Sequence, residues 1–486
     1  MKTIRYLFII AVIISGVLSA NTTSAQPNTL SYMKGIPQTK DINPALYGIN
    51  KGFYISMPGL SKIDLSVNTS GFTYNDIIHK GTGQYADSLV VDFEKFHDRL
   101  AKKNFLREML AYSPLEFGFK VKSHFFGLSI SEKLYSDQVF GKGFVSLIKD
   151  GNAAFIGQDF NTGKIGINGA VYHQLALNYG KELNDKLTIG GAAKILFGLA
   201  AVRTKTMNLE IYTPADASRL DIKAEGEVYL SAPVELTYDD DGMLESVSSE
   251  IEGADAILNF GNPGFAVDLG AAYQLNEKLQ LSASIIDLGF ISWKEQTHKL
   301  TQSGEFLYRG VDISNSLDNN AVDYENPGDL FEELVDSITE AFDFLGTPDE
   351  PFNTTIPTKI YLGGDYQLTN ALNFGGLARL RFGNGRMSYA FTSSANVKVG
   401  NVIDFSLSHS IINGKANMIG AGIGLRGGPL QIYLVSDNLL AAVHPTTTSY
   451  VNARFGINFI FGNSKKDEIC KTCPGMDPVQ LPPMPE

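Results

Sequence analysis

Four stretches of this 486-residue chain have residue types and spacings that could do chemistry. Gly422, Gly424 and Gly427 fit by letter the glycine fingerprint that seats a dinucleotide pyrophosphate, which requires a tight turn from strand into helix. Here the glycines alternate along a strand-like run and Gly428-Pro429 follow, so glycine facing a crowded interior explains them better. Gly157–Lys164 approximates a phosphate loop, but five residues separate its glycines, and Ile165 stands where Ser or Thr would meet magnesium. Asp239-Asp240-Asp241-Gly242 suggests calcium, yet the first and last ligand positions of an EF-hand frame fall on Thr237 and Ser248 instead of carboxylates. Cys470 and Cys473 make a Cys-x-x-Cys pair with no second Cys/His pair for zinc and no βαβ setting for redox work. They either close a local disulfide or stay as thiols. The seven histidines are dispersed and no nucleophile–base pair assembles. The chain reads as no enzyme, with no metal site and no cofactor.

Composition narrows the class. Lys+Arg number 40 against 52 Asp+Glu, a net charge of −12, and charged residues are 19%. That balance argues against disorder, a coiled coil and a nucleic-acid partner. Lys2 and Arg5 precede an apolar run from Tyr6 to Leu18, followed by Ser19, Ala20, Ser24 and Ala25. This is the pattern of a secretory signal over 1–25, cleaved after Ala25. The run is too short for a spanning helix, which needs about 20 residues. Past residue 25 no apolar stretch reaches that length, so any membrane embedding must use strands.

The remaining sequence has a period of two. Leu187–Gly198 sets Leu187, Ile189, Ala193, Ile195 and Phe197 against Thr188, Gly190, Ala192 and Lys194. Leu372–Phe382, Ile403–Ile411 and Val451–Phe461 repeat the arrangement, each with one apolar and one polar face. Strands are expected near 61–69, 115–121, 125–132, 172–182, 187–198, 265–275, 279–291, 358–368, 371–383, 386–399, 402–412, 416–427, 430–436 and 450–461, fourteen in all. Every second connection is short, and the long ones, 70–114, 133–171, 199–264, 292–357 and 437–449, all fall in the other set. Short turns on one rim and long loops on the other mark a transmembrane barrel with a periplasmic short rim. A soluble secreted β protein has no reason to segregate its loops. Tyr179, Tyr273 and Tyr366 recur beside short turns, as in an aromatic girdle.

Strand parity turns Lys194, Arg379, Arg381, Arg426, Arg454, Asp268, Asp365 and Asp404 toward the lumen, and Asp287 joins them if a bulge shifts the register within Ser284–Leu288. These charges either pair to fill space or form a basic strip that attracts an anionic group such as a carboxylate. Helices are expected over Val91–Leu110 and Phe331–Phe342 in the long loops. Residues 26–60 form a periplasmic or plugging segment, 61–463 the barrel, and 464–486 a flexible Pro-rich periplasmic tail. Residues 206–260 carry 13 acidic and 2 basic side chains, and 318–352 carry 11 acidic and none basic. Both blocks lie in loops assigned to the extracellular rim.

The motif running from Met33 to Asn43-Pro44-Ala45 resembles the opening of FadL-like and PorV-like outer-membrane barrels. Ser284–Trp293, with Asp287-Leu288-Gly289-Phe290 inside it, is similar to a motif of an uncharacterised DUF-type family of such barrels. Ser436-Asp437-Asn438-Leu439-Leu440 resembles a late strand of PorP-like relatives. A FadL-like resemblance implies fourteen strands, an N-terminal plug and uptake of hydrophobic molecules; a PorV-like one implies secretion or surface attachment. The expectation is an all-β, antiparallel bacterial outer-membrane barrel of about 14 strands with long, acidic, partly helical extracellular loops. Its partners would be outer-membrane lipid and a small amphipathic or hydrophobic solute. The alternatives are a non-conducting scaffold meeting secretion-system proteins and, third, the soluble β protein.

Overall fold

The computed structural model describes residues 28–462 apart from 50, 82, 84–85, 87, 217–218, 249–259, 309–343, 384–385 and 414. Among these residues fourteen antiparallel strands close on themselves. They are β1 (Gly52–Ser56, continued by Lys62–Thr69), β2 (Lys103–Val121), β3 (His124–Gly141), β4 (Gly166–Glu182), β5 (Leu187–Tyr212), β6 (Pro263–Gln274) and β7 (Leu279–Trp293). The second half is β8 (Thr358–Gln367), β9 (Leu372–Gly383), β10 (Arg386–Val399), β11 (Ile403–Ile412), β12 (Lys415–Gly427), β13 (Leu430–Ser436) and β14 (Tyr450–Phe461). Closure is direct: Phe53 pairs with Phe461 and Ile63 with Phe455, joining β1 to β14, while β1 also pairs with β2. A closed ring leaves no edge whose amides would face hydrocarbon unpaired.

The alternation resolves into two surfaces. Leu362, Phe374, Phe391, Leu407, Ile423 and Leu434 are exposed on the outside, while their neighbours Asn373, Thr392, Ser406 and Ser408 are buried within. An apolar outer band with polar residues inside is the inverse of a soluble domain and is stable only against lipid. Tyr179, Tyr273 and Tyr366 stand exposed beside the short turns, at the level where a phenol meets both hydrocarbon and headgroup. Among the described residues no helix is long and apolar enough to cross a membrane.

Several strands outrun the bilayer on the long-loop side. β5 has 26 residues, against the 9–11 that a tilted spanning strand needs. Its upper half pairs with Leu220–Ser231, which pairs in turn with Thr297–Tyr308, building a sheet above the rim. The helix expected over Val91–Leu110 is confined to Phe93–Arg99; Lys103–Leu110 is instead the start of β2, paired with Leu134–Gly141. The apolar residues there mimic a helical face because the upper strand is covered on its outside. Leu106 and Phe140 pack against Phe72, Leu100 and Val145 instead of lipid. A further helix, Lys142–Asp150, follows β3. The Phe331–Phe342 stretch and Cys470 and Cys473 lie outside the described residues. The first strand begins at Gly52, inside the stretch that the sequence assigned to the N-terminal segment.

Candidate functional site

Residues 28–49 run inside the ring, and small lumen-facing residues make room for them. A Cβ added at Gly190 would fall 2.1 Å from the Pro44 carbonyl oxygen, and one at Gly422 would lie 2.5 Å from Met33 Sδ. Glycine at these two positions is therefore a requirement of close approach, which accounts for Gly422 among the fingerprint-like glycines of β12, whereas a Cβ at Gly427 would meet nothing within 4 Å. The upper end of the segment hangs from Asp437. Its carboxylate accepts the Asn28 N–H (3.2 Å), the Thr29 N–H (2.8 Å), the Thr29 hydroxyl (2.5 Å) and Asn452 Nδ2 (3.1 Å). Lower down, Lys34 pairs with Asp365 (2.5 Å), and Gln38 and Asn458 exchange reciprocal amide bonds of 2.9 and 3.0 Å. Lys40 lies between Asp41 (2.9 Å) and Glu116 (3.0 Å), while Asn43 Nδ2 donates to the carbonyls of Ala271 and Ala283.

Beside this segment, with Asp41 in its wall, stands a buried ion cluster. The pairing of β6 with β7 jumps from Val267↔Leu288 to Leu269↔Ile285, which leaves Asp287 in an extra-residue bulge at φ +59°. Asp and Asn tolerate that left-handed conformation better than most residues. The Asp287 N–H is held by Asp268 Oδ1 at 2.7 Å. Its carboxylate collects three lysines, Lys194 (2.6 Å), Lys359 (2.7 Å) and Lys133 (3.4 Å), and Lys194 also reaches Asp268 at 2.5 Å. Arg454 pairs with Asp64, and Lys62 with Asp41 at 2.6 Å. Between these groups lies a cavity of about 90 Å³, its wall shared by the charges and by Tyr135, Tyr172, Tyr361 and Met109.

The inward charges read from parity are thus scattered over three levels. Lys194, Asp268 and Asp287 meet one another; Arg454 lies across the same cavity; Asp365 and Asp404 stand lower, against Lys34 and Gly35 of the internal segment. Arg379 and Arg381 are buried higher in β9, and Arg379 Nη1 donates to Asn28 Oδ1 at 3.1 Å. Arg426 is only half-buried and donates to the carbonyls of Gly428 and Ile460 near the short-turn rim. Sequence parity missed Lys133 and Lys359, the other two partners of Asp287, and the Arg107–Asp137 pair (3.2 Å). Lys359 sits in the alternating run of β8 and could have been found; Arg107 was hidden in the stretch taken as helical. Asp239 Oδ1 accepts from the amides of Asp241 and Met243, so this acidic run closes its own turn. Among the described residues no group of three or more His, Cys, Asp or Glu could hold a metal ion.

Fold and site together define a transmembrane β-barrel of the outer-membrane type, with an internal N-terminal segment and a charged mid-lumen. The chain belongs to DUF5723, a family of unknown function, which it matches over residues 44–437. A search of curated proteins found no match. Among solved structures it is similar to the toluene transporter TbuX of Ralstonia pickettii, at 12% identity and a TM-score of 0.43, covering 91% of this chain and 99% of that one. A FadL homologue of Pseudomonas aeruginosa is similar at 11% identity and a TM-score of 0.39, covering 91% and 100%.

Proposed function

We propose that the protein lies in a bacterial outer membrane and passes a small amphipathic or hydrophobic solute through its lumen, with no catalytic step. The observation that carries this reading is the mid-lumen cavity. Its wall is aromatic and apolar at Tyr135, Tyr172 and Met109 and ionic at Lys133, Lys194 and Asp287, and binding sites for small molecules combine apolar walls with a few placed polar groups. Residues 28–49 act as a plug beside it, with Asp41 in the cavity wall, so passage requires that segment to shift. In the same reading residues 1–25 are a removed export signal, and 464–486 are a tail on the short-turn side. The acidic residues near the long-loop rim repel anions at long range, an effect that fades with salt.

A second reading, a non-conducting scaffold for secretion or surface attachment, is favoured by the density of contacts that residues 28–49 make with the wall. Proteoliposomes holding the full chain separate the two. Hexanesulfonate, which stays charged and crosses lipid poorly, should enter faster than into protein-free vesicles, and glucose should not. Entry at the protein-free rate would overturn the passage reading. A deletion strain adds a cellular measure: lost solute uptake supports passage, and lost surface proteins support the scaffold.

A further inference from the structure

In the upper lumen four arginines lie near one another, three of them, Arg107, Arg381 and Arg386, around the Asp137 carboxylate. Arg107 Nη2 pairs with Asp137 Oδ2 at 3.2 Å. From β9, Arg381 lies in the field of Arg107 and Arg379, opposed by Asp137, and Arg386 at the start of β10 feels the same Asp137 and Arg107. Arg107, Arg379, Arg381 and Asp137 are all buried. Yet Nε and Nη2 of Arg381, Nε of Arg379, Nε of Arg107 and Oδ1 of Asp137 have no hydrogen-bond partner among the described residues. Burying a guanidinium with unpaired donors is costly, and an apolar side chain of similar volume would fill the space more cheaply.

The pattern of what is left open is informative. Nε and Nη2 lie on one edge of the guanidinium plane, the edge that grips two oxygens of a carboxylate or phosphate in a fork. Lys359, the cross-strand partner of Arg381, lines the mid-lumen cavity together with Tyr135 and Met109. The cavity wall therefore reaches the residue beside Arg381, although none of the four arginines is itself part of that wall.

We propose that Arg107, Arg379, Arg381 and Arg386 form an oxyanion-binding site, in which Nε and Nη2 of Arg381 take a carboxylate or phosphate group in bidentate contact. Asp137 holds Arg107 in place and sets a repulsive limit on affinity. The site stands on lumen geometry and does not require that the barrel conduct.

The test is titration calorimetry on the purified full chain in detergent, with inorganic phosphate and with hexanoate, against chloride at equal ionic strength. Saturable binding of at least one anion is expected. Arg381→Met should weaken it about tenfold or more, the size of one lost charge-assisted contact. Arg381→Lys, which keeps the charge and loses the fork, should also weaken it, and Asp137→Asn should tighten it. Tighter phosphate marks a phosphorylated head and tighter hexanoate a carboxylate. If Arg381→Met fails to assemble, the other two variants decide. No binding beyond chloride, or wild-type affinity in both Arg381→Lys and Asp137→Asn, overturns the site. Binding without hexanesulfonate flux would leave the site standing and refute passage alone.

Discussion

Asp437→Asn should free the upper end of the internal segment while leaving the barrel intact. The substitution keeps shape and removes charge. In the wild type two donors from Thr29 converge on Oδ1, and the Asn28 N–H and Asn452 Nδ2 converge on Oδ2. An amide presents one oxygen, so either pair of donors must face an NH₂ group. Two lost charge-assisted bonds at about 1.5 kcal/mol each, the low end for such contacts, amount to about 3 kcal/mol. That is about a hundredfold in the local opening equilibrium. Hydrogen exchange read on peptides covering residues 28–36 should accelerate by about that factor, with peptides from β9 to β12 unchanged. Unchanged protection over 28–36, or loss spread evenly through the strands, would refute the assignment of Asp437 as the anchor.

Other outcomes follow from the same contacts. Gly198→Ala would place a Cβ 2.3 Å from the Trp293 ring, and because Trp293 is the sole tryptophan its emission should shift to the red as the ring is displaced. Gly376→Ala, with nothing within 4 Å, should leave the spectrum alone. Lys194→Met leaves Asp268 and Asp287 without their shortest partner and should cost about 3–5 kcal/mol, lowering the temperature at which heat-modifiable gel migration is lost. Lys133→Met, a longer and more exposed contact of 3.4 Å, should cost under about 1 kcal/mol. Leu362→Arg, on the lipid face at 57% exposure, should destabilise folding into vesicles by about 2–4 kcal/mol near the midplane, measured by urea titration.

The spanning strands were legible because lipid on one side and a polar lumen on the other impose a clean alternation. The runs at 403–411 and 451–461 fall within β11 and β14. Legibility failed where that asymmetry ends. Lys103–Leu110 is packed on its outer face by Phe72, Leu100 and Val145, so its apolar spacing looked helical, and Arg107 was lost with it. The upper sheet built on β5 was unread for the same reason, since its Val228, Leu230 and Leu300 pack against Leu236 and Val247 instead of lipid. Parity placed Asp268 and Lys194 inward, but which charges touch depends on register across strands and on the bulge at Asp287, and neither is local. The three family-like motifs acquire physical roles here. Asn43 and Pro44 wedge against β5, β6 and β7, Asp287 collects three lysines, and Asp437 anchors residues 28 and 29.

The central claim, that solute crosses the lumen when residues 28–49 move, is tested most directly by locking that segment. The side-chain oxygens of Thr29 and Ser408 are 2.7 Å apart. A Thr29→Cys, Ser408→Cys pair, made with Cys470→Ser and Cys473→Ser, can therefore be oxidised to tie the segment to β11. Hexanesulfonate entry into proteoliposomes should fall to the protein-free rate on oxidation and recover on reduction. Equal entry in the oxidised and reduced states, or none in either, would contradict the account.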